Sequence, residues 1–525
     1  MNERAPIEVI PGPDTIRVVG SAINDGAIPG VYVTDGELSM VEHVSGTANP
    51  DAGDRDRPLP VTSITLTPAR LALALAQHAE VYKVVTRADK KTGETTSENV
   101  EITPPSAALQ AILAARTWPG VPALRGIVGA PVLRADGTLL QHRGYDKATG
   151  LYLAPAVPMR PVPDEPTPED AAEARGFLLD QFLRDFPWAE EADKANHVGL
   201  MVTPILRRYL GSPVPFGVIT ANMPGSGKTI LTSSLGLLNG QRVMPWPDND
   251  VELRKLITSS LGTVEGTMIF DNLAEGAVIG SAVLANLITT NVWSDRLLGS
   301  NKVTAQVNDR MWLATGNNLA TGGDMGAGRT VAVRLASKTA HPERRTDFEL
   351  GDLTLWIEQP ENRERLLRCL LVMVLDWTRA GAPKRADVTG MRQFTPWAQG
   401  VGGFLEHHGI PGFLDNAEAF RAEDADDGEW TAFLHTWRAR FGDARKLAAD
   451  VISDATDSFG QDQWHGTFVT TPEGRRPTPK TLGRMLGGQV DHPHSGYVLR
   501  KARNPATKIL VWWVETTGEE TGPAA

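Results

Sequence analysis

The sequence predicts an α/β fold built around a phosphate-binding loop, with an α+β N-terminal domain, a helical region and a C-terminal winged-helix-like domain. Three observations carry that expectation. An apolar run, a Gly-rich turn and a helix-forming run follow one another over residues 216–238. Downstream, the runs at 266–271, 310–318 and 330–335 each read as a further strand. Near the C-terminus a basic stretch combines a short helix with a hairpin pattern.

In chain order, Ile7-Glu8-Val9-Ile10 and Gly30-Val31-Tyr32-Val33 read as strands, and the alanine- and leucine-rich run from Pro68 to Ala76 as a helix start. Thr47–Arg57, with Asp51, Asp54 and Asp56, reads as a surface loop, Asp89–Glu94 as a hairpin tip, and Asp136-Gly137 as the apex of a tight turn. Residues 1–154 form the N-terminal domain and offer no catalytic constellation. Six prolines within 155–168 predict a semi-rigid extended linker. Thr167, followed by Glu169 and Asp170, reads as a capped helix start, continued by Phe177, Leu178, Phe182 and Leu183 at one-turn spacing. The nucleotide domain is placed at 169–342, a mostly helical region at 343–425, an acidic loop at 421–428, the last domain at 429–515 and a disordered tail at 516–525.

Composition bounds the function. A chain of 525 residues holds two to four domains, and 41% hydrophobic with 22% charged residues is ordinary for a soluble globular protein. No apolar run approaches the ~18 residues of a membrane span, and no apolar signal region follows Met1, so the chain reads as cytoplasmic with no membrane partner. The single cysteine, Cys369, excludes an internal disulfide and a multi-cysteine zinc site. A net charge of −11 argues against a nucleic-acid coat protein, yet leaves room for a local basic patch or a charged ring channel.

The motif itself is Ala221-Asn222-Met223-Pro224-Gly225-Ser226-Gly227-Lys228-Thr229. In the loop Pro224–Gly227, the backbone N–H groups of Gly225 to Gly227 can converge on a polyphosphate because glycine permits a close approach, and the helix N-terminus adds partial positive charge. Lys228 would reach the β- and γ-phosphates of ATP, and the Thr229 hydroxyl would hold Mg²⁺. The first motif position is Asn222 rather than glycine. The alternative is a coincidental Gly-Lys-Thr, which the preceding strand and following helix argue against.

Gly266–Asp271 has the form of a Walker B strand, with Asp271 facing the Mg²⁺ shell opposite Thr229; an ordinary core strand ending in an exposed aspartate is the alternative. Asn272 stands where hydrolases usually carry a glutamate, which leaves the general base open between Glu275 and Glu252. Arg310–Asn318 is another strand, whose Asn317 can orient the attacking water or touch the γ-phosphate; Gly-Asn-Asn is also good turn chemistry. Arg329, just ahead of the strand Thr330–Leu335, could project into a neighbouring subunit's ATP; alone it would be a surface charge.

Walker A, Walker B, sensor asparagine and arginine, in that order over roughly residues 200–340, resemble the superfamily-3 helicases of the AAA+ class found in phages, prophages and plasmids. The resemblance implies a hexameric homo-oligomeric ring hydrolysing ATP, encoded by a phage or mobile element in a bacterial cell. It further implies a pore hairpin on single-stranded DNA, matched here to Arg296 and Lys302, and a primase or other replication partner. Region 120–515 looks more loosely like ATPase modules of prophage and plasmid replication proteins, through phrases such as Ala314–Asn318 and Gly144–Gly150.

From Glu473 to Lys508, eight basic residues face two acidic ones. Thr478–Leu486 reads as a capped helix with Lys480 and Arg484 on its polar face. Tyr497–Arg500 and Ile509–Val514 read as a hairpin carrying Arg500 and Lys501, and Asp443–Ala455 as an upstream helix. This is a winged-helix pattern suited to duplex DNA; a solvated basic face is the alternative. Two functions stay in play, an ATP-dependent DNA helicase or translocase and a non-helicase nucleotide switch such as a DNA-bound regulator or defence ATPase. A metabolic kinase is disfavoured, since nothing marks a small acceptor pocket.

Overall fold

The computed structural model describes residues 4–43, 61–88, 94–262, 266–296, 303–326, 328–339, 341–346, 348–417, 420, 425–456, 461–471, 474–491, 493–494, 496–503 and 509–516. The N-terminal elements are β1 (Ala5–Glu8), α1 (Pro13–Asn24), β2 (Val31–Thr34), β3 (Glu37–His43), β4 (Val61–Thr65), α2 (Pro68–His78), β5 (Ala79–Ala88), β6 (Thr95–Glu101) and α3 (Ser106–Leu113). They form two small sheets, β1-β5-β6 and β2-β3-β4, around a core of Ile7, Val19, Ile23, Leu71, Leu75 and Leu109. The helix at Pro68 starts where expected because Thr67 Oγ1 accepts from Arg70 N (3.3 Å) and proline needs no partner in the first turn. The first strand begins two residues earlier than the apolar run suggests. The polar loop expected at Thr47–Arg57 and the hairpin tip at 89–93 lie outside the described residues, although β5 and β6 do pair antiparallel across that tip.

Five short strands follow: β7 (Gly126–Val128), β8 (Val132–Leu133), β9 (Leu139–Leu140), β10 (Gly144–Asp146) and β11 (Leu151–Leu153). The turn between β8 and β9 closes through Arg134 N to Thr138 O (2.8 Å), with Gly137 at φ 83°. Leu133 and Leu139 are already part of the large central core, as are Val157 and Val162 of the proline segment. That segment carries no helix or strand, but it is fastened down. Gln141 brackets the Val162 backbone (2.8 and 3.0 Å), and Arg379 donates to Pro166 O (3.0 Å). Proline carbonyls, with no N–H to compete, serve as acceptors for a neighbouring helix. The central core thus draws residues from ahead of the prolines, Leu133 and Leu139, while Val132, Leu140, Leu151 and Leu153 form a small cluster of their own.

Helix α4 (Pro168–Gly176) opens with the Thr167–Asp170 capping box, then widens into a π-helical turn over Phe177–Phe182. The expected uninterrupted α-helix gives way there as Phe177, Leu178, Leu179 and Phe182 all become buried. Helix α5 (Glu191–Leu210) then crosses beneath the central sheet. The central elements are β12 (Phe216–Ala221), α6 (Lys228–Gly236), β13 (Gln241–Met244), α7 (Asp250–Leu261), β14 (Thr267–Leu273), β15 (Val278–Ile279), α8 (Ala282–Thr289), β16 (Val292–Arg296), β17 (Val303–Val307), β18 (Met311–Asn317), β19 (Ala320–Thr321) and β20 (Thr330–Leu335). Five form one parallel sheet in the order β13-β14-β18-β12-β20. Every residue of β12 is buried, which explains its unbroken apolar character. The order matches a P-loop core: the strand feeding the Gly-rich turn sits between the sensor strand and the last strand. Strands β16 and β17 make a separate antiparallel hairpin.

Beyond the sheet come α9 (Leu353–Glu358), α10 (Pro360–Arg379) and α11 (Thr395–His407), whose apolar faces join the central core. The last elements are α12 (Ala425–Phe441), α13 (Ala448–Asp454), α14 (Pro479–Gly488), β21 (Pro493–His494), β22 (Tyr497–Arg503) and β23 (Leu510–Thr516). They enclose a separate aromatic-rich core with Trp437, Trp464, Leu482, Leu499 and Trp512. Two expectations need correction. Residues 425–428 of the acidic stretch are helical and open α12, and its residues 421–424 lie outside the described residues. The helix expected from Asp443 starts only at Ala448, because Lys446 pairs as a bridging strand with Trp512 (both hydrogen bonds 2.8 Å). The tail beyond Thr516 lies outside the described residues. No described helix is long and apolar enough to cross a membrane.

Candidate nucleotide-binding active site

The Gly-rich turn leaves the buried C-terminal end of β12 and enters α6 through two residues in the left-handed region, Gly225 (φ 77°) and Gly227 (φ 98°). A side chain at either would be strained, and a Cβ on Gly225 would also stand 3.1 Å from Glu343 Cβ. Ser226 is buried and its hydroxyl donates to Met223 O (2.8 Å), which closes the turn. Pro224 and Thr229 are exposed, so the loop surface and the first hydroxyl of α6 are accessible.

Lys228 Nζ donates to Asn317 Oδ1 at 2.6 Å. This contact joins the P-loop helix to the end of β18 across 89 residues of sequence. Partial burial lowers the Lys228 pKa below its ordinary value, while the charge of Asp271 works in the opposite direction. Asp271 stands at an irregularity in β14, where the register shifts between Phe270 and Leu273 and Asn272 takes φ 54°. Such a bulge re-aims a carboxylate at a strand end. The Thr315 hydroxyl donates to Asp271 Oδ1 and accepts from Asn272 N (3.0 Å), so one side chain of β18 braces both residues. One Asp271 oxygen is thereby held while the carboxylate stays half-buried.

The next turn is tied to the same place. Asn318, at φ 50°, donates its backbone N–H to Ala221 O (3.0 Å) and its amide to Glu275 Oε1 (3.2 Å). Glu275 is thus attached to the sensor turn. Glu252 pairs with Lys255 on α7 (2.6 Å) instead. A cavity of about 380 Å³ opens beside Gly225–Gly227, with Phe186, Pro187, Ile230, Phe348 and Leu353 as apolar lining and Asp185, Glu343, Thr346 and Asp352 as polar lining. The donor set of Thr229 hydroxyl and Asp271 carboxylate consists of hard oxygens on an accessible surface, which suits Mg²⁺, an ion that keeps most of its own waters.

The structure therefore brings together Pro224–Thr229, Asn317 and, through Thr315, Asp271. It does not bring Arg329 there. The Arg329 carbonyl accepts from Phe216 N (2.9 Å) at the start of β12, whereas the P-loop begins at that strand's far end, about 20 Å away at the usual rise per residue. Arg296 is exposed at the end of β16, and Lys302 lies outside the described residues. In the last domain Lys480 and Arg484 are exposed one turn apart on α14, and Lys501 is exposed on β22. Arg500 is engaged within its own sheet, donating to Glu515 (2.8 Å) and Asp491 (2.5 Å). Sequence reasoning missed Thr315 and the tie between Asn318 and Glu275. Thr315 sits in plain view in Ala314–Asn318, but its partner is set by β14 lying next to β18.

No protein-family profile matches the sequence, and no curated protein matches it. Solved structures do. The A form apo structure of the NrS-1 C-terminal region matches at 11% identity over 86% of this chain and 100% of that one, with a TM-score of 0.31. The SCCmec type IV Cch active helicase matches at 10% identity over 93% and 98%, with a TM-score of 0.34. The JCV helicase matches at 15% identity over 48% and 71%, with a TM-score of 0.21.

Proposed function

We propose that this chain is an ATP-dependent DNA helicase or translocase serving replication of a phage or mobile element, assembled as a homo-oligomeric ring around single-stranded DNA. One observation carries the reading. Lys228, Asn317 and the Thr315-braced Asp271 converge at the C-terminal ends of β12, β18 and β14, while Arg329 sits at the opposite end of the strands, just ahead of β20. So far from its own P-loop, Arg329 is out of reach of that nucleotide; in this reading it serves another subunit's nucleotide, and a ring supplies that neighbour. In this reading Lys228 steadies the β- and γ-phosphates and Asn317, bonded to it, orients the attacking water. Glu275, held by Asn318, takes the water's proton. Bound Mg²⁺, held by Thr229 and Asp271, would neutralise charge on the phosphates. The cavity beside Gly227 receives the base and sugar. The hairpin bearing Arg296 contacts the tracking strand, and the winged-helix-like domain, through Lys480, Arg484 and Lys501, contacts duplex DNA.

A second reading, a nucleotide switch that turns over slowly, is favoured by Asn272. No glutamate follows Asp271, and Asn272 is in a left-handed conformation that points the chain away from the regular strand. Unwinding of a forked duplex separates the two: the helicase displaces the strand with ATP, and the switch binds DNA without displacing it.

A further inference from the structure

The first position of the phosphate-loop motif, ordinarily glycine, is Asn222, and its side chain is engaged. The Asn222 amide donates to Ser337 O (2.9 Å), and its Oδ1 accepts from Ser337 N (3.0 Å). Both bonds go to the backbone of one residue, and an amide of this length carries the donor and acceptor they need. Asn222 N also donates to Leu335 O (3.1 Å), which extends the β12–β20 ladder by one rung. Glycine would keep the ladder bond and lose the other two.

Ser337 lies five residues ahead of Pro342, where the lining of the cavity beside the P-loop begins. It is buried, and its hydroxyl accepts from Thr339 N (3.3 Å). Farther along, Pro342 and Glu343 lie against Gly225, where a Cβ would come within 3.2 Å of Glu343 N. Arg345 then donates to Asp185 O (2.9 Å), on the cavity's other side. The lining residues are thus fastened across the cavity by Arg345 and, ahead of Pro342, by the Asn222–Ser337 pair, with Glu343 resting on the loop between them.

We propose that Asn222 is a positioning residue that, through Ser337, holds the cavity wall of Pro342, Glu343 and Arg345 against the phosphate loop, so that the cavity is formed before nucleotide enters. The role rests on the nucleotide reading of this site. Preorganising a wall strengthens ground-state binding and leaves the chemical step alone, so the effect falls on KM. Restoring the motif's glycine therefore impairs the site.

The test compares full-length wild type, Asn222→Gly and Asn222→Asp in steady-state ATP hydrolysis and in amide hydrogen exchange without nucleotide. Asn222→Gly is expected to raise KM for ATP about three- to tenfold, the scale of lost exposed hydrogen bonds, with kcat unchanged. The peptide containing Ser337 is expected to exchange faster in that variant. Asn222→Asp keeps the acceptor and loses the donor, so it gives a smaller shift in the same direction; it also serves if the glycine variant does not fold. An Asn222→Gly protein with unchanged or lower KM overturns the role, as does unchanged exchange at Ser337. Wild type that binds no ATP overturns the nucleotide reading and this role with it. That outcome is distinct from wild type that binds beside an unaffected variant.

Discussion

Lys228 Nζ donates to Asn317 Oδ1 at 2.6 Å, linking the phosphate loop to the end of the neighbouring strand. The lysine is therefore aimed in advance, and in the proposed site the asparagine that aims it would face the same phosphate. Lys228→Ala is expected to lose turnover by at least ~10²-fold, since it removes charge placed at the transferred group. Asn317→Asp is expected to weaken ATP binding instead, because a carboxylate would pair with Lys228 and repel the γ-phosphate. Equilibrium binding of a fluorescent ATP analogue and turnover, measured on both variants, check the split.

The brace at Asp271 gives the second expectation. Thr315→Val keeps the size of the side chain but removes the hydroxyl shared by Asp271 and Asn272. Turnover should fall by up to about 10²-fold, the scale of a small misplacement of a reacting group, while ATP binding changes little. Asp271→Asn should show the larger loss, with reduced Mg²⁺ dependence. A Mg²⁺ titration of hydrolysis on both variants measures this.

Much of this site was legible locally and part of it was not. The strand, glycine turn and helix at 216–236 announce themselves because each is decided by residues within a few positions of one another. The same holds for the caps at Thr167 and Thr478. Pairings between distant strands are a different matter. The partners of Asn222 and Lys228 lie 115 and 89 residues away, and only the strand order β14-β18-β12-β20 brings them in. The proline segment read as a free linker because its composition is that of one. Its attachment depends on Gln141 and Arg379, which no local pattern connects to it. Arg500 read as part of a basic face, yet its charge is met across the sheet by Glu515 and Asp491.

Arg329 is expected to act between subunits. Arg329→Ala should bind ATP and hydrolyse it ~10³-fold more slowly, the known scale for arginines supplied to a transferred phosphoryl group. Mixing it with Lys228→Ala subunits should restore some turnover wherever two intact half-sites meet. Activity of the mixture against each variant alone, with mixed assembly verified, checks it.

Acid stability follows from two buried histidines. Burial lowers the pKa of His197 to about 3 and that of His408 to about 4, from an ordinary 6.5, so both are neutral in the fold. The unfolded chain takes up their protons first as pH falls. Their contribution is thus complete above pH 6.5 and is lost progressively toward pH 3–4, on the order of a few kcal/mol in all. Chemical denaturation between pH 7 and 4.5 should show the decline, and His197→Gln, which can keep a bond to Ser234, should flatten it.

In the last domain the free and the engaged cations are expected to behave differently. Replacing Lys480 and Arg484 with alanine in the full chain should weaken duplex DNA binding and reduce the salt slope by up to about two units. Arg500→Ala should change the slope little and lower stability instead, since its guanidinium is committed to Glu515 and Asp491. Binding isotherms at several salt concentrations compare the three proteins.

The central claim is that the convergence of Lys228, Asn317 and Asp271 is an ATP-hydrolysing centre coupled to a DNA strand. Steady-state ATP hydrolysis by the full-length protein, with and without single-stranded DNA and with Lys228→Ala as the control, addresses it most directly. Mg²⁺-dependent hydrolysis that single-stranded DNA stimulates and that Lys228→Ala abolishes is expected. Hydrolysis that persists in a correctly folded Lys228→Ala protein, or that ignores single-stranded DNA, would contradict it.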